Sequence, residues 1–185
     1  MKTLLTEEQL GEGIRRMAGE IKKHYQGRPL TIVGVMIGSI VLLADLIRLL
    51  DLPLRVELVQ ARKNHAGTRP GPLAIDVDLL SGSIQSRDVL LVDDIFDTGR
   101  TLWELIPQID EMGPTSVRSA VLLCKEGRCK VAMKPDFAAF TIPNEFVVGY
   151  GLDYRDQYRN LPYLAALEPH EIEDDAKNNP AGNNA

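Results

Sequence analysis

The chain has 185 residues, 44% of them hydrophobic, which is enough for one sizeable core and near the usual size of a single compact domain. Its formal charge of -5 is uneven, because Glu168, Glu171, Glu173, Asp174 and Asp175 crowd the last stretch and leave the body before them nearly neutral. With no long basic run, there is little electrostatic reason to expect bulk nucleic-acid or membrane-surface binding, and a small-molecule partner fits better.

The amino end, Met1-Lys2-Thr3-Leu4-Leu5, has no apolar leader, and no uninterrupted apolar run approaches the roughly 20 residues of a membrane span, so a cytoplasmic protein is expected. Thr6-Glu7-Glu8-Gln9 has capping-box spacing, and Leu10, Ile14, Met17 and Ile21 follow at helical intervals. An amphipathic helix is predicted over about residues 6–25, ended by Gly27. Leu30 to Met36 reads as a buried strand and Ile40 to Leu50 as a helix, joined by the tight turn Met36-Ile37-Gly38-Ser39.

Leu54 to Val59 is a second strand, and Ala61 to Pro72, rich in Gly, Pro and basic residues, reads as a long loop of the kind used for lids. Further strands are expected at Leu73 to Val77, Val89 to Val92 and Val117 to Leu123, with a helix from about Thr101 to Met112 that contains Pro107. Alternating strands and helices imply an α/β fold with a mainly parallel sheet, whose ligands sit at the carboxyl ends of the strands. Cys124 and Cys129 have no second cysteine pair or nearby histidine, so they read as reduced thiols beside a turn and not as a zinc site. The short apolar pieces Phe137 to Ile142 and Phe146 to Tyr150 suggest a smaller second lobe. Residues 1–169 are read as one domain, and the Glu-, Asp- and Asn-rich residues 170–185 as a disordered acidic tail.

The chemistry concentrates where the strand ending at Val92 runs into Asp93-Asp94-Ile95-Phe96-Asp97-Thr98-Gly99-Arg100-Thr101 and a helix begins. A glycine between hydroxyl residues at a helix amino terminus offers backbone N–H groups and the positive end of the dipole to a phosphate. Two adjacent carboxylates at the strand end can hold vicinal hydroxyls or a hydrated Mg²⁺. A Walker A loop is excluded, because it needs a glycine where Asp94 stands. Acidic residues and a glycine alone would make only a polar turn, but the order of this whole stretch asks for more.

This stretch resembles the signature of the type I phosphoribosyltransferases: an apolar strand, two acidic residues, a spacer, then Thr-Gly and a hydroxyl residue. The resemblance implies that fold, with a small hood lobe. It also implies that Thr98, Gly99, Arg100 and Thr101 cradle the 5′-phosphate of phosphoribosyl pyrophosphate, that Asp93 and Asp94 hold the ribose hydroxyls, and that Asp97 is the general base or proton relay at purine N7. Lys134-Pro135-Asp136-Phe137, Phe146-Val147-Val148-Gly149-Tyr150-Gly151-Leu152-Asp153-Tyr154 and Tyr158-Arg159-Asn160-Leu161-Pro162 follow in the order of the hypoxanthine-guanine branch. That branch implies Lys134 on the purine exocyclic oxygen, Phe146 stacked on the base, Val147 contacting it, Asp153 on Mg²⁺ together with Asp93 and Asp94, and Arg159 on pyrophosphate. It also implies a homodimer or homotetramer.

Taken singly, Lys134 would be a solvated lysine, Phe146 a core residue, and Asp153 with Arg159 a surface ion pair; their joint order carries the reading. Two departures stand out. Ile37 occupies a position where the family has lysine, leaving backbone groups of Ile37 and Gly38 to meet pyrophosphate. Arg62-Lys63-Asn64 stands where the hood loop carries Ser-Tyr. The rival readings are an RNA-binding regulator of the pyrimidine-operon type on the same fold and a catalytically degenerate relative.

Overall fold

The computed structural model describes residues 1–60, 62–66, 69–74 and 77–172. In chain order the elements are β1 (Lys2–Leu5), α1 (Glu7–Tyr25), β2 (Leu30–Met36), α2 (Ile40–Leu49), β3 (Leu54–Gln60), β4 (Arg62–Ala66), β5 (Arg69–Ala74), α3 (Val77–Ile84), β6 (Asp88–Phe96), α4 (Arg100–Asp110), β7 (Ser116–Lys125), β8 (Phe137–Ile142), β9 (Val147–Val148) and β10 (Leu164–Ala166). Five strands form a sheet in the order β3-β2-β6-β7-β8, and every neighbouring pair runs parallel.

The apolar runs of β2, β6 and β7 are explained by burial on both faces. Alternate residues divide between two cores. Ile32, Leu90, Val92 and Leu122 meet α1 and α2 on one face, while Val33, Val35, Leu91 and Val121 meet α3 and α4 on the other. Helix α1 begins with the expected capping box, Thr6 Oγ1 accepting from Gln9 N at 3.2 Å and Thr6 N donating to Gln9 Oε1 at 2.9 Å. Such a cap contributes about 1 kcal/mol. The helix ends where Gln26 takes a left-handed conformation, followed by Gly27.

Four expectations need correction. Residues 62–66 and 69–74 form an antiparallel hairpin, with Lys63 opposite Leu73 and Ala66 opposite Arg69, rather than an irregular loop. The expected strand at Leu73 to Val77 is split, Leu73 and Ala74 closing β5 and Val77 opening α3. Strand β6 runs on to Phe96, so Asp93 and Asp94 belong to the strand and not to the turn after it. Phe137–Ile142 joins the main sheet beside β7 and not the second lobe. In the first case Pro and Gly masked regular structure whose support comes from pairing across the chain. In the third, pairing with β7 extends the ladder past the point where hydrophobicity stops. In the fourth, the apolar run was visible but its partner, β7, was not.

The second lobe is a three-stranded antiparallel sheet, β1-β10-β9, in which Lys2 pairs with Ala166 and Ala166 with Val147. Strand β1 carried no distinct sequence signal. The crossover from β7 back to β8 contains no helix; Val131 and Met133 pack from it onto the α4-side core. His170, Glu171 and Ile172 lie in a helical turn whose Ile172 carbonyl accepts from Tyr154 Oη at 2.9 Å. The remaining tail, 173–185, lies outside the described residues. No described helix is long and apolar enough to cross a membrane.

Glycines on α1 allow a test of how tightly this helix seats. A β-carbon on Gly13 would lie 2.0 Å from Phe140 Cζ of β8, whereas one on Gly19 would meet nothing within 4 Å. Gly19→Ala should therefore stabilise by up to about 1 kcal/mol through helix propensity. Gly13→Ala should destabilise by about 1–3 kcal/mol through overpacking despite the same propensity gain. Urea denaturation of both variants checks the opposite signs.

Candidate active site

The site lies at the carboxyl edge of the parallel sheet, where β2 and β6 end. Strand β2 delivers the turn 36–39, in which the Met36–Ile37 peptide is cis, Ile40 N donates to Ile37 O at 3.2 Å, and buried Ser39 donates to Val35 O at 2.6 Å. This turn is pressed against β6 so closely that a β-carbon on Gly38 would stand 1.5 Å from Asp94 Oδ2. From the other side Gly151, with φ +98°, passes so near that its β-carbon would lie 2.3 Å from Gly38 O. Only glycine allows both approaches.

Asp93 is buried, and its Oδ1 accepts from Asp94 N at 3.0 Å. Burial, and then the neighbouring Asp94 charge, push the Asp93 carboxyl well above the ordinary carboxylate range. Burial also raises Asp94, opposed by hydrogen bonds and by the charge of Arg159. Arg159 ties the third segment down: Nη1 donates to Gly151 O at 2.8 Å, and Nη2 lies 2.7 Å from Asp153 Oδ1. Asp153 also accepts from Asp156 N at 2.9 Å.

Helix α4 begins at the phosphate-type turn. Gly99 is its N-cap with φ +81°, and a β-carbon there would strike Val131 and Phe96 at 2.5 and 2.6 Å. The Thr98 carbonyl accepts from Lys130 N at 2.9 Å, joining the turn to the helix-free crossover. Residues 93–102 with Val35 and Met36 line a cleft of about 300 Å³. The amino end of an 11-residue helix opens onto it, with Thr98 and Thr101 hydroxyls at hand.

Asp97 stands at the rim of this cleft. Its Oδ1 accepts from Arg128 Nε at 2.8 Å, and its Oδ2 lies 3.5 Å from Lys125 Nζ. The Arg128 hydrogen bond, more than the Lys125 charge, holds its carboxyl below the ordinary range. Sequence reasoning missed both cations, because Lys125 and Arg128 fall in a stretch read only as thiols beside a turn. On the hood, Phe146 is 42% exposed and meets Tyr154 edge-to-face at 5.3 Å, while Val147 is buried in β9. Lys134 is exposed on the crossover and makes no ion pair among the described residues. Its charge reaches the Cys124 thiol, which burial and then Cys129 push up.

The turns 36–39 and 98–101, the Asp93–Asp94 pair, and the Asp153–Arg159 pair are thus brought together at one sheet edge, with Asp97 at the rim. Residues 1–155 match the family model described as the phosphoribosyl transferase domain. The chain belongs to the phosphoribosyl transferase family. It is 41% identical over 172 residues to a hypoxanthine-guanine phosphoribosyltransferase of Lactococcus lactis, covering 91% of each chain. Among solved structures, a hypoxanthine phosphoribosyltransferase of Staphylococcus aureus superposes with a TM-score of 0.84 at 38% identity, covering 92% of each chain. A variant of the Trypanosoma cruzi hypoxanthine phosphoribosyltransferase, solved as a ternary substrates complex, gives a TM-score of 0.83 at 34% identity over 92% of this chain and 97% of that one. These relatives place the transferase in the hypoxanthine-guanine branch.

The raised titration of Asp93 has a definite sign for stability. Between the unfolded and folded values the native protein holds a proton that the unfolded chain releases, so this group favours folding at low pH and loses that contribution as pH rises. Asp97, held low, acts in the opposite sense. Asp93→Asn should accordingly raise the melting temperature of the ligand-free transferase at mildly alkaline pH, by roughly 2–4 °C for each kcal/mol relieved. The gain should shrink as pH falls and wild-type Asp93 takes up its proton. Thermal melts of both proteins across a pH series check this.

Proposed function

We propose that the protein transfers the phosphoribosyl group of phosphoribosyl pyrophosphate to hypoxanthine or guanine, a purine-salvage reaction yielding the nucleoside monophosphate and pyrophosphate. The observation that carries this reading is the meeting of a paired-carboxylate strand end with a Thr-Gly-Arg-Thr helix amino terminus inside one cleft. The N–H groups and hydroxyls of Thr98, Gly99, Arg100 and Thr101 hold the 5′-phosphate. Asp93 and Asp94 accept from the ribose hydroxyls. Backbone N–H groups of Ile37 and Gly38 and the guanidinium of Arg159 face the pyrophosphate.

On the base side, Phe146 supplies a stacking face and Val147 a backbone contact. Lys134 donates to the 6-oxygen and Asp97 accepts from N7. The C1′–O bond to pyrophosphate breaks as N9 bonds to C1′, and the purine proton passes through Asp97 toward solvent. Among the described residues no group of three or more His, Cys, Asp or Glu side chains could hold a metal by itself. Single or paired carboxylates, as at Asp153 and at Asp93 with Asp94, suit Mg²⁺, which keeps several waters and takes its other ligands from substrate phosphates. When bound there, Mg²⁺ would neutralise the departing pyrophosphate.

Specificity for 6-oxopurines follows from Lys134, whose ammonium can only donate. Adenine presents an amino group at that position, and a site built for one polar partner rejects such an analogue by up to ~10⁴-fold. Initial rates with phosphoribosyl pyrophosphate, Mg²⁺ and a panel of bases should show hypoxanthine and guanine used and adenine refused. Lys134→Met should weaken use of both oxopurines far more than it weakens phosphoribosyl pyrophosphate binding. Comparable wild-type rates with adenine and hypoxanthine would remove the role of Lys134; no turnover with any base would leave a degenerate relative.

We also assign a homo-oligomer to the protein. Strand β3 is an edge of the main sheet, and Val56 and Leu58 on it are 41% and 50% exposed, together with Ile37 and Ile40 at 49% and 44%. An exposed apolar edge strand of this kind calls for a cover. Light scattering should give at least a dimer mass for the wild type and a shift toward monomer for Leu58→Glu.

A further inference from the structure

Asp97 is held by two cations that differ in their anchorage. Lys125 is the last residue of β7, 10% exposed, and its ammonium lies 3.5 Å from Oδ2. Arg128 follows on a turn that passes through Gly127 at φ +65°, and its side chain is 41% exposed, with Nε bonding Oδ1 at 2.8 Å. The turn is bracketed by two backbone hydrogen bonds, Glu126 N to Ile142 O at 3.0 Å and Lys130 N to Thr98 O at 2.9 Å. Between these two bonds the Arg128 side chain reaches into solvent and back to the carboxylate. One cation is therefore seated on the sheet and the other hangs from a loop.

On the function proposed above, Asp97 must accept a hydrogen bond from purine N7, and of its two oxygens Oδ1 already accepts from Arg128 while Oδ2 faces Lys125. We propose that Arg128 is a latch on Asp97, which the incoming purine base displaces while Lys125 keeps the carboxylate ionised and oriented. The exchange is donor for donor: the guanidinium N–H leaves Oδ1 and the purine N–H takes its place, with no bond made or broken. Asp97 and Arg128 are both about a third or more exposed, so solvent screens their attraction and the latch is weak enough for a neutral base to open. Its effect is to lower the apparent affinity for the base by the fraction of molecules latched, without touching the phosphate or ribose contacts. Arg128 is thus a positioning residue, acting on the reaction only through Asp97.

The test compares steady-state kinetics of the wild-type enzyme with Arg128→Ala, Arg128→Gln and Arg128→Lys, with hypoxanthine varied and phosphoribosyl pyrophosphate and Mg²⁺ saturating. The Ala and Gln variants should lower KM for hypoxanthine by about 2–5-fold, the range set by an exposed ion pair, while KM for phosphoribosyl pyrophosphate stays unchanged. Arg128→Lys should restore much of the wild-type value. Raising the salt concentration should lower the wild-type KM for hypoxanthine and leave that of the Ala and Gln variants flat. A KM for hypoxanthine that is unchanged or raised in both the Ala and Gln variants, or one with the same salt response as wild type, overturns the latch and leaves the proposed reaction standing. Absence of turnover in the wild-type enzyme overturns the proposed reaction itself and the latch with it.

Discussion

A β-carbon cannot be placed on residue 38 or residue 151 without striking Asp94 or the Gly38 carbonyl, and the arrangement of the site depends on that closeness. Three segments far apart in the chain are held at contact distance: the turn after β2, the end of β6, and the loop that carries Asp153 and Arg159. Because the contacts are backbone against side chain or backbone against backbone, they leave little freedom for one segment to shift without the others. Arg159 then closes the arrangement by bonding the Gly151 carbonyl that it stands beside. Rigid support of this kind is what lets a few polar groups act on a substrate with fixed geometry.

The charges of the site divide by depth. At the bottom, Asp93 and Asp94 are crowded and poorly neutralised, and both titrate above the ordinary range. At the rim, Asp97 and Asp153 are each committed to cations of the chain itself. On the proposed reaction, the hydroxyls of a phosphorylated sugar would add donors to the deep pair, and its phosphates would compete for the arginine at the rim. Binding at the rim would then exchange one partner for another. Such exchange contributes little to net affinity but ties each rim residue's position to the presence of substrate.

Much of this was legible in the sequence because it is local. The capping box at Thr6, the helix expected over about 6–25, the strand at Leu30–Met36 and the strand-to-helix turn at Thr98–Thr101 each depend on residues within a few positions of one another, and the structure forms each of these elements within a residue or so of its expected place. What escaped depends on distant partners. Strand β1 exists because β10 supplies its ladder, and the β4–β5 hairpin forms across Gly and Pro residues that locally argue against it. The cations on Asp97 could not be foreseen, since Lys125 and Arg128 carry no motif and come to the carboxylate only through the register that sets Cys124 beside Phe96. The Asp153–Arg159 contact, by comparison, was open to sequence reasoning as an ion pair because the two residues lie six positions apart, and the structure forms it.

The hood sheet has one further consequence, for the order of folding. Its middle strand, β10, joins Lys2–Leu5 from one end of the described chain to Val147–Val148 near the other. Bringing positions 2 and 166 together closes a loop that spans almost the whole fold, and the entropy of that closure is recovered only if the intervening sheet is already compact. Strands β9 and β10 are close in sequence and can pair early, whereas β1 must wait until the sheet between them has gathered. A chain arrested before that step would have β10 paired on one side only, leaving an open strand edge on the lobe that carries Phe146 and Val147.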